Sequence, residues 1–169
     1  MKKKKSIILD INKLNLLFMY SGIIDGDNFD SLKDNISFIN NILMIIETKK
    51  GNKIGFFSDD YVIIRDEEYI STDKNCFIFF FNDKKIYDFI GNENAFKVNK
   101  DKFFSIGDDD LVINNNFHEK GGIVKYPFIS FDIQTDNPNI FAESLEFEIK
   151  DIEIYNINII GALQFKKNL

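Results

Sequence analysis

The segment CFIFFF, residues 76 to 81, runs six positions without a polar side chain. In a strand, alternate side chains point to opposite faces. A strand apolar on both faces must therefore be covered on both, or it offers an open template for aggregation. The chain folds either with layers on both sides of this strand or with one sheet packed on another. Composition supports a core of that kind: there are 19 Phe, no Trp and two Pro. Apolar residues make up 44% and charged residues 28% of 169 residues, which suits one domain with a sizeable core.

Most other apolar runs are also short. Leu14 to Tyr20 fits either strand or helix. SGIIDGDNF then brings two glycines and two aspartates to a tight turn ahead of a helix. Phe29, Leu32, Ile36 and Ile39 recur at spacings of three and four, one face of a short helix. Asp27 or Asn28 can cap it, and Asp30 suits the positive end of its dipole. ILMIIET, KKGN and KIGFF form a hairpin pattern. YVII at 61 to 64 is a further strand. After the turn NDKK come IYDFI, AFKV, FFSI, LVI and FISFDI. In LEFEIKDIEIYNINII the apolar positions are Leu145, Phe147 and Ile149, then Ile152 and Ile154, then Ile157 and Ile159. Each change of phase predicts a bulge, near Lys150 and again near Asn156. The fold class is α+β, mainly β: a two-layer antiparallel β-sandwich flanked by one or two short helices.

Charge narrows the partners. The net charge is −6 and the pI about 4.8. Acidic clusters span Asp25 to Asp34, Asp59 to Glu68 and Asp108 to Asp110. Nucleic-acid binding needs a basic stripe, and only Lys2 to Lys5 approaches one, so no nucleic acid is expected. That run is taken as a solvated, frayed N-terminus. Ile7 to Leu9 is too short for a signal-peptide core, and no apolar segment reaches membrane-spanning length. One cysteine excludes an internal disulfide. The expectation is a soluble cytoplasmic protein.

The chemistry-bearing residues do not converge in sequence. Zinc wants three or four Cys, His or carboxylate ligands, and the chain has one Cys and one His. GDDDL lacks the alternating ligands of a calcium loop. It reads as a tight turn at Gly107 with solvated aspartates leading into a strand. Cys76 opens the most apolar strand and behaves as a small buried hydrophobe. His118 sits among Asn, Glu and Gly, in a surface loop. Asp151 and Glu153 are two apart on a strand and share a side unless the bulge intervenes. GxSxG, P-loop and GxGxxG motifs are absent. No catalytic residue, metal or cofactor is expected.

Five pieces then line up in one order. LLFMYSGIIDG followed by a helix from Phe29 resembles LLYS-x-x-x-DG-x-S-x-x-x-F. ILMIIETKKGNKIGFFSD is similar to a strand, charged turn and strand ending in G-G-Y. DKNCFIFFF resembles D-x-x-A-F-L-F-x-L, and FFSIGDDDLVINNN resembles F-G-G-G-x-D-L-x-I-x-x-N. SLEFEIKDIEIYNI resembles F-x-V-x-E-I-E-V-F-x-V. Together they resemble the TLDc domain of the oxidation-resistance protein family, over Leu14 to Ile157. The resemblance makes Asp25, Gly26, Phe29, Gly55, Gly107, Asp110, Asp151 and Glu153 motif positions with structural or interaction roles. It has Asp110 begin a strand after the turn at Gly107. It also marks departures: Asp109 stands where many members have His, Ile24 where Arg is common, and Phe56 in place of a second glycine. Cys76 takes the place of a small residue.

The resemblance implies a β-sandwich wrapped by short helices, tolerance of oxidative stress and binding to the vacuolar-type proton ATPase. It brings no established catalytic mechanism. The expected organisation is an N-terminal extension at 1–13, partly disordered, a TLDc-like domain at 14–160 and a tail at 161–169. The expected function is a non-catalytic interaction domain in the cytoplasm, peripheral at vacuolar or other acidic-organelle membranes through its partner. Two alternatives stand beside it: an enzyme or direct antioxidant using Cys76 or an acidic cleft, and a diverged scaffold module with another protein partner.

Overall fold

The computed structural model describes residues 16–65, 68–82, 84–91 and 94–157. The Lys2 to Lys5 run, the extension at 1–13, Ile159 and the tail at 161–169 lie outside the described residues.

Two six-stranded antiparallel sheets face each other. The chain opens with β1 (Leu16–Ser21), a one-turn α1 (Gly22–Asp25) and α2 (Phe29–Ile36). A hairpin follows, β2 (Ile42–Thr48) and β3 (Lys53–Ser58), then β4 (Glu68–Ser71), β5 (Phe77–Phe80) and β6 (Lys85–Asp88). Next come β7 (Phe96–Asn99), β8 (Lys102–Ile106), β9 (Leu111–Asn114), α3 (Phe117–Lys120) and β10 (Gly122–Val124). The described chain closes with β11 (Glu146–Phe147) and β12 (Ile149–Ile157). The first sheet has the order β1-β12-β2-β3-β5-β6, and the second β11-β10-β9-β8-β7-β4. This is the mainly β sandwich with few short helices that the apolar runs required.

The inner core explains why the layers stay together. Met44, Ile46, Ile54, Phe56, Ile78, Ile152 and Ile154 face it from the first sheet, and Phe96, Val98, Phe104, Ile106, Leu111 and Ile113 from the second. Phe56 meets Phe96 and Phe104 edge-on across the interface, with centroids 5.5 and 6.0 Å apart. Each such buried ring contributes about 1.5–3 kcal/mol. Phe103 and Phe104 are consecutive, yet both enter this core, Phe103 against Tyr20 and Phe117. Strand alternation forbids that without an extra residue, and the register of β8 against β9 shifts between Lys102 and Phe104. On α2, Phe29, Leu32 and Ile36 are the buried stripe, and Asn28 caps it by accepting from Ser31 N–H at 3.1 Å.

β5 is covered on both faces. Cys76, Ile78 and Phe80 belong to the inner core, while Phe77 and Phe79 join Leu43, Phe57 and Ile157 in a second cluster on the outer face of the first sheet. The bulge expected near Lys150 is present, as the β12–β2 register shifts between Ile149 and Asp151.

Several expectations are corrected. No bulge occurs at Asn156: Tyr155 and Asn156 keep register with Leu43 and Ile42. The phase changes there because Ile157 is buried on the outer face, not because the strand slips. YVII is not a strand: Val62 makes an isolated bridge to Ile39. FISFDI is not one either, with Phe131 bridging Phe89. The last run is broken, since Leu145 lies outside β11 and is 41% exposed.

Candidate functional site

All of the motif positions but Glu153 fall in three separate places. The first is the junction of β1 and α1. Ser21 is extended and caps α1, its Oγ accepting from Ile23 N–H at 3.2 Å and Ile24 N–H at 3.4 Å. Asp25 answers by accepting from Ser21 N–H at 2.9 Å. Reciprocal bonds of this kind satisfy the free donors at a helix start. Asp151 reaches across from β12, accepting from Ser21 Oγ at 3.0 Å and Ile23 N–H at 3.1 Å. Gly26 ends α1 with φ +99°, a conformation that favours glycine, and its N–H donates to Gly22 O. Gly22 must also lack a side chain, because a Cβ there would lie 2.2 Å from Phe117 Cζ.

The next residues fasten this corner to the second sheet. Phe29 N–H donates to Asn115 Oδ1 at 2.8 Å, and Asn116 N–H donates to Asp27 O at 2.8 Å. Asp27 Oδ2 accepts from His118 N–H at 3.0 Å and lies 3.2 Å from His118 Nδ1. His118 is therefore a helix residue tied to Asp27 rather than a loop residue. Tyr20 donates its hydroxyl to Gly26 O. Burial, then the charges of Asp27, Asp25 and Asp151, push that phenol above its ordinary range, so it stays a donor.

Above this fixed base stand Ile23 and Ile24, 64% and 73% exposed. Their backbone donors are held by Ser21 Oγ and, for Ile23, also by Asp151. Adjacent, rigidly held apolar residues in a polar surround are suited to contact with another protein.

The second place is the turn before β9. Gly107 has φ +66°, and a Cβ there would lie 2.6 Å from Ser130 Cβ. Asp108 N–H donates to Ser130 Oγ at 2.8 Å. The reading of three solvated aspartates is corrected. Asp108 and Asp109 pair with Lys97 and Lys102, at 3.3 and 2.7 Å. Burial opposes ionisation of Asp109, but the Lys102 contact wins and holds its carboxyl below the usual range. Asp110 is fully buried and accepts from Ser130 N–H at 2.8 Å and Ile129 N–H at 3.1 Å. Burial raises its pKa, only partly offset by those bonds.

The third place is Gly55 on β3, opposite Phe79. A Cβ there would lie 2.0 Å from Phe79 Cζ, so the missing side chain seats that ring.

The remaining candidates stay apart. Glu153 accepts from Tyr155 OH at 2.8 Å, whereas Asp151 serves α1. Cys76 is 2% exposed. Burial, then Asp73, raise its thiol pKa far above the ordinary value. No hydrogen bond or ion pair joins Cys76 to His118, and no group of three or more His, Cys, Asp or Glu among the described residues is placed to hold a metal. No described helix is long and apolar enough to cross a membrane.

A family model for the TLDc domain matches residues 3–158. The chain belongs to the TLDc domain family. The match takes in all three places and both faces of the first sheet. No curated protein matches the chain significantly. Sequence reading missed Ser21, Ile23 and Ser130 in this TLDc domain, and took Asp27 for an alternative cap of α2, whereas Asn28 caps it and Asp27 holds His118. For Ser21 a signal existed: a serine immediately before the first residues of a short apolar helix is a candidate N-cap. For Asp27 and Ser130 there was none, since their partners lie far along the chain.

Proposed function

We propose that this TLDc domain is a non-catalytic docking module that binds a cytosolic part of the vacuolar-type proton ATPase, and through it contributes to oxidative-stress resistance. The observation that carries the reading is the exposed Ile23–Ile24 pair, held out by Ser21, Asp25 and Asp151. The complementary surface is an apolar notch rimmed by Lys or Arg. The chain's net charge of −6 would speed encounter with it. The module works in the cytoplasm and reaches acidic-organelle membranes through this partner. Buried Cys76, with its raised pKa, is poorly suited to nucleophilic or redox chemistry.

Capture from cell lysate, with wild-type chain and an Ile23→Asp, Ile24→Asp variant as baits, tests this. Pump subunits should be retained by the first and lost by the second. A different partner showing the same dependence would keep the docking role and replace the pump. Equal recovery by both baits, or none by either, overturns the proposal.

A further inference from the structure

Because β3 runs antiparallel to β5, the turn that enters β3 and the turn that leaves β5 lie at the same end of the first sheet. The segment ahead of β11 comes up against both and leaves a cavity of about 240 Å³ between them. Asn52 and Asn82 line it from the two turns, and Asn137, Asn139 and Glu143 from the segment. Phe80, Ile140, Phe141 and Ala142 supply its apolar part. Phe80 and Phe141 are buried and meet edge-on at 5.2 Å, so this wall is anchored in the inner core. Sites for drug-sized ligands measure about 300–1,000 Å³, so a ligand of this one is smaller.

The polar groups hold one another in place. Thr48 is completely buried. Its Oγ1 accepts from Asn52 N–H at 3.1 Å and donates to Glu143 Oε2 at 3.4 Å. Asn52 Nδ2 donates to the same Glu143 oxygen at 2.7 Å, and Asn52 Oδ1 accepts from Asn82 Nδ2 at 2.8 Å. Asn137 Oδ1 accepts from Asn139 N–H at 3.0 Å. These bonds use one side of each group. Among the described residues, no hydrogen bond engages Glu143 Oε1, Asn82 Oδ1, Asn137 Nδ2 or the side-chain amide of Asn139. The open set therefore mixes acceptors with donors, and its orientation costs a ligand little.

That mixture selects the chemistry. A cation would satisfy the acceptors and leave the N–H groups of Asn137 and Asn139 unpaired. An anion would meet the carboxylate of Glu143, and Lys53, which also lines the cavity, is already paired with Glu47 at 3.1 Å. A hydroxyl group donates and accepts at once, as the amides do. A compact molecule bearing several hydroxyls pairs with both kinds of group and lays its C–H face on the apolar wall. We propose that this cavity binds a small neutral polyhydroxyl compound, the size of one monosaccharide or cyclic polyol, with Asn82, Asn139 and Glu143 bonding its hydroxyls. None of the lining residues belongs to the corner of Ile23 and Ile24, so the inference is independent of the docking role of that pair.

Titration of the nitrogen-labelled full chain, followed through its asparagine side-chain amide resonances, tests it. The probes are glucose, galactose, mannose and myo-inositol, each taken to about 50 mM, with inorganic phosphate and ammonium as charged controls. At least one of the four polyols should shift the side-chain amides of Asn52, Asn82, Asn137 or Asn139 saturably within that range. Asn82 and Asn139 are exposed, so Asn82→Ala and Asn139→Ala leave the core untouched. Each should weaken binding at least about tenfold, with the amide resonances of β3 and β5 unmoved. No saturable shift with any of the four, equal affinity in the wild-type chain and both variants, or saturation of the same resonances by phosphate or ammonium would overturn the proposal.

Discussion

A methyl group added at Gly55 would sit 2.0 Å from Phe79 Cζ, inside a cluster that is itself closed. Gly55→Ala must displace that ring and should cost about 1–3 kcal/mol. Thermal unfolding should register this as a fall of about 2–4 °C per kcal/mol. At Asp110 the carboxylate is buried for the sake of two backbone donors, Ile129 and Ser130. Asp110→Ala leaves both unpaired and should cost roughly 2–4 kcal/mol, whereas Asp110→Asn keeps an acceptor and should cost less. The pH dependence follows from the raised pKa. The folded chain holds this proton to higher pH than an unfolded aspartate, whose pKa is about 3.9. The stability it confers is full below that value and is lost as pH rises through the folded pKa. Urea unfolding at stepped pH should therefore show wild type losing ground to Asp110→Asn as pH rises; a constant difference would contradict this. For Cys76, burial predicts that Cys76→Ala leaves peroxide consumption unchanged, measured on the purified chain.

The elements show why some expectations held and others did not. The hairpin of β2 and β3 was legible because its signals are local: two apolar runs joined by a turn, in which Gly51 takes φ +89°. The bulge at Lys150 was legible because Ile149 and Ile152 both belong to the inner core. The same phase argument failed at Asn156, because it assumes one buried face and Ile157 is buried on the other. FISFDI has the composition of a strand, but the donors of Ile129 and Ser130 are committed to Asp110 instead of a ladder. YVII forms no ladder: Val62 alone bridges, accepting from Phe38 N–H and donating to Ile39 O. Helix starts offer a direct check. Asn28→Ala removes the cap of α2 and should cost about 1 kcal/mol by thermal unfolding. On α1, where the side chains of Ile23 and Ile24 face solvent, Asp at either position should shift stability by no more than about 0.5 kcal/mol.

At the scale of the whole molecule, the double-sided burial of CFIFFF was legible from six residues, and with it the packing of sheet on sheet. The candidate site was legible only in part. Its motif residues could be named, but Asp27 with His118 and Asp151 with Ser21 join positions 91 and 130 apart. Contacts of that span leave no periodicity in a single sequence. What the fold does with them is fix a corner. Aspartates and glycines are spent on holding α1 still, and two isoleucines are left facing outward. The most direct measurement is the affinity of the full chain for the purified cytosolic sector of the proton pump. Wild type should bind, and the Ile23→Asp, Ile24→Asp variant should bind at least about tenfold more weakly, a loss of about 1.4 kcal/mol, with its melting temperature unchanged. Equal affinity for the two chains, or no binding by wild type, would contradict the account.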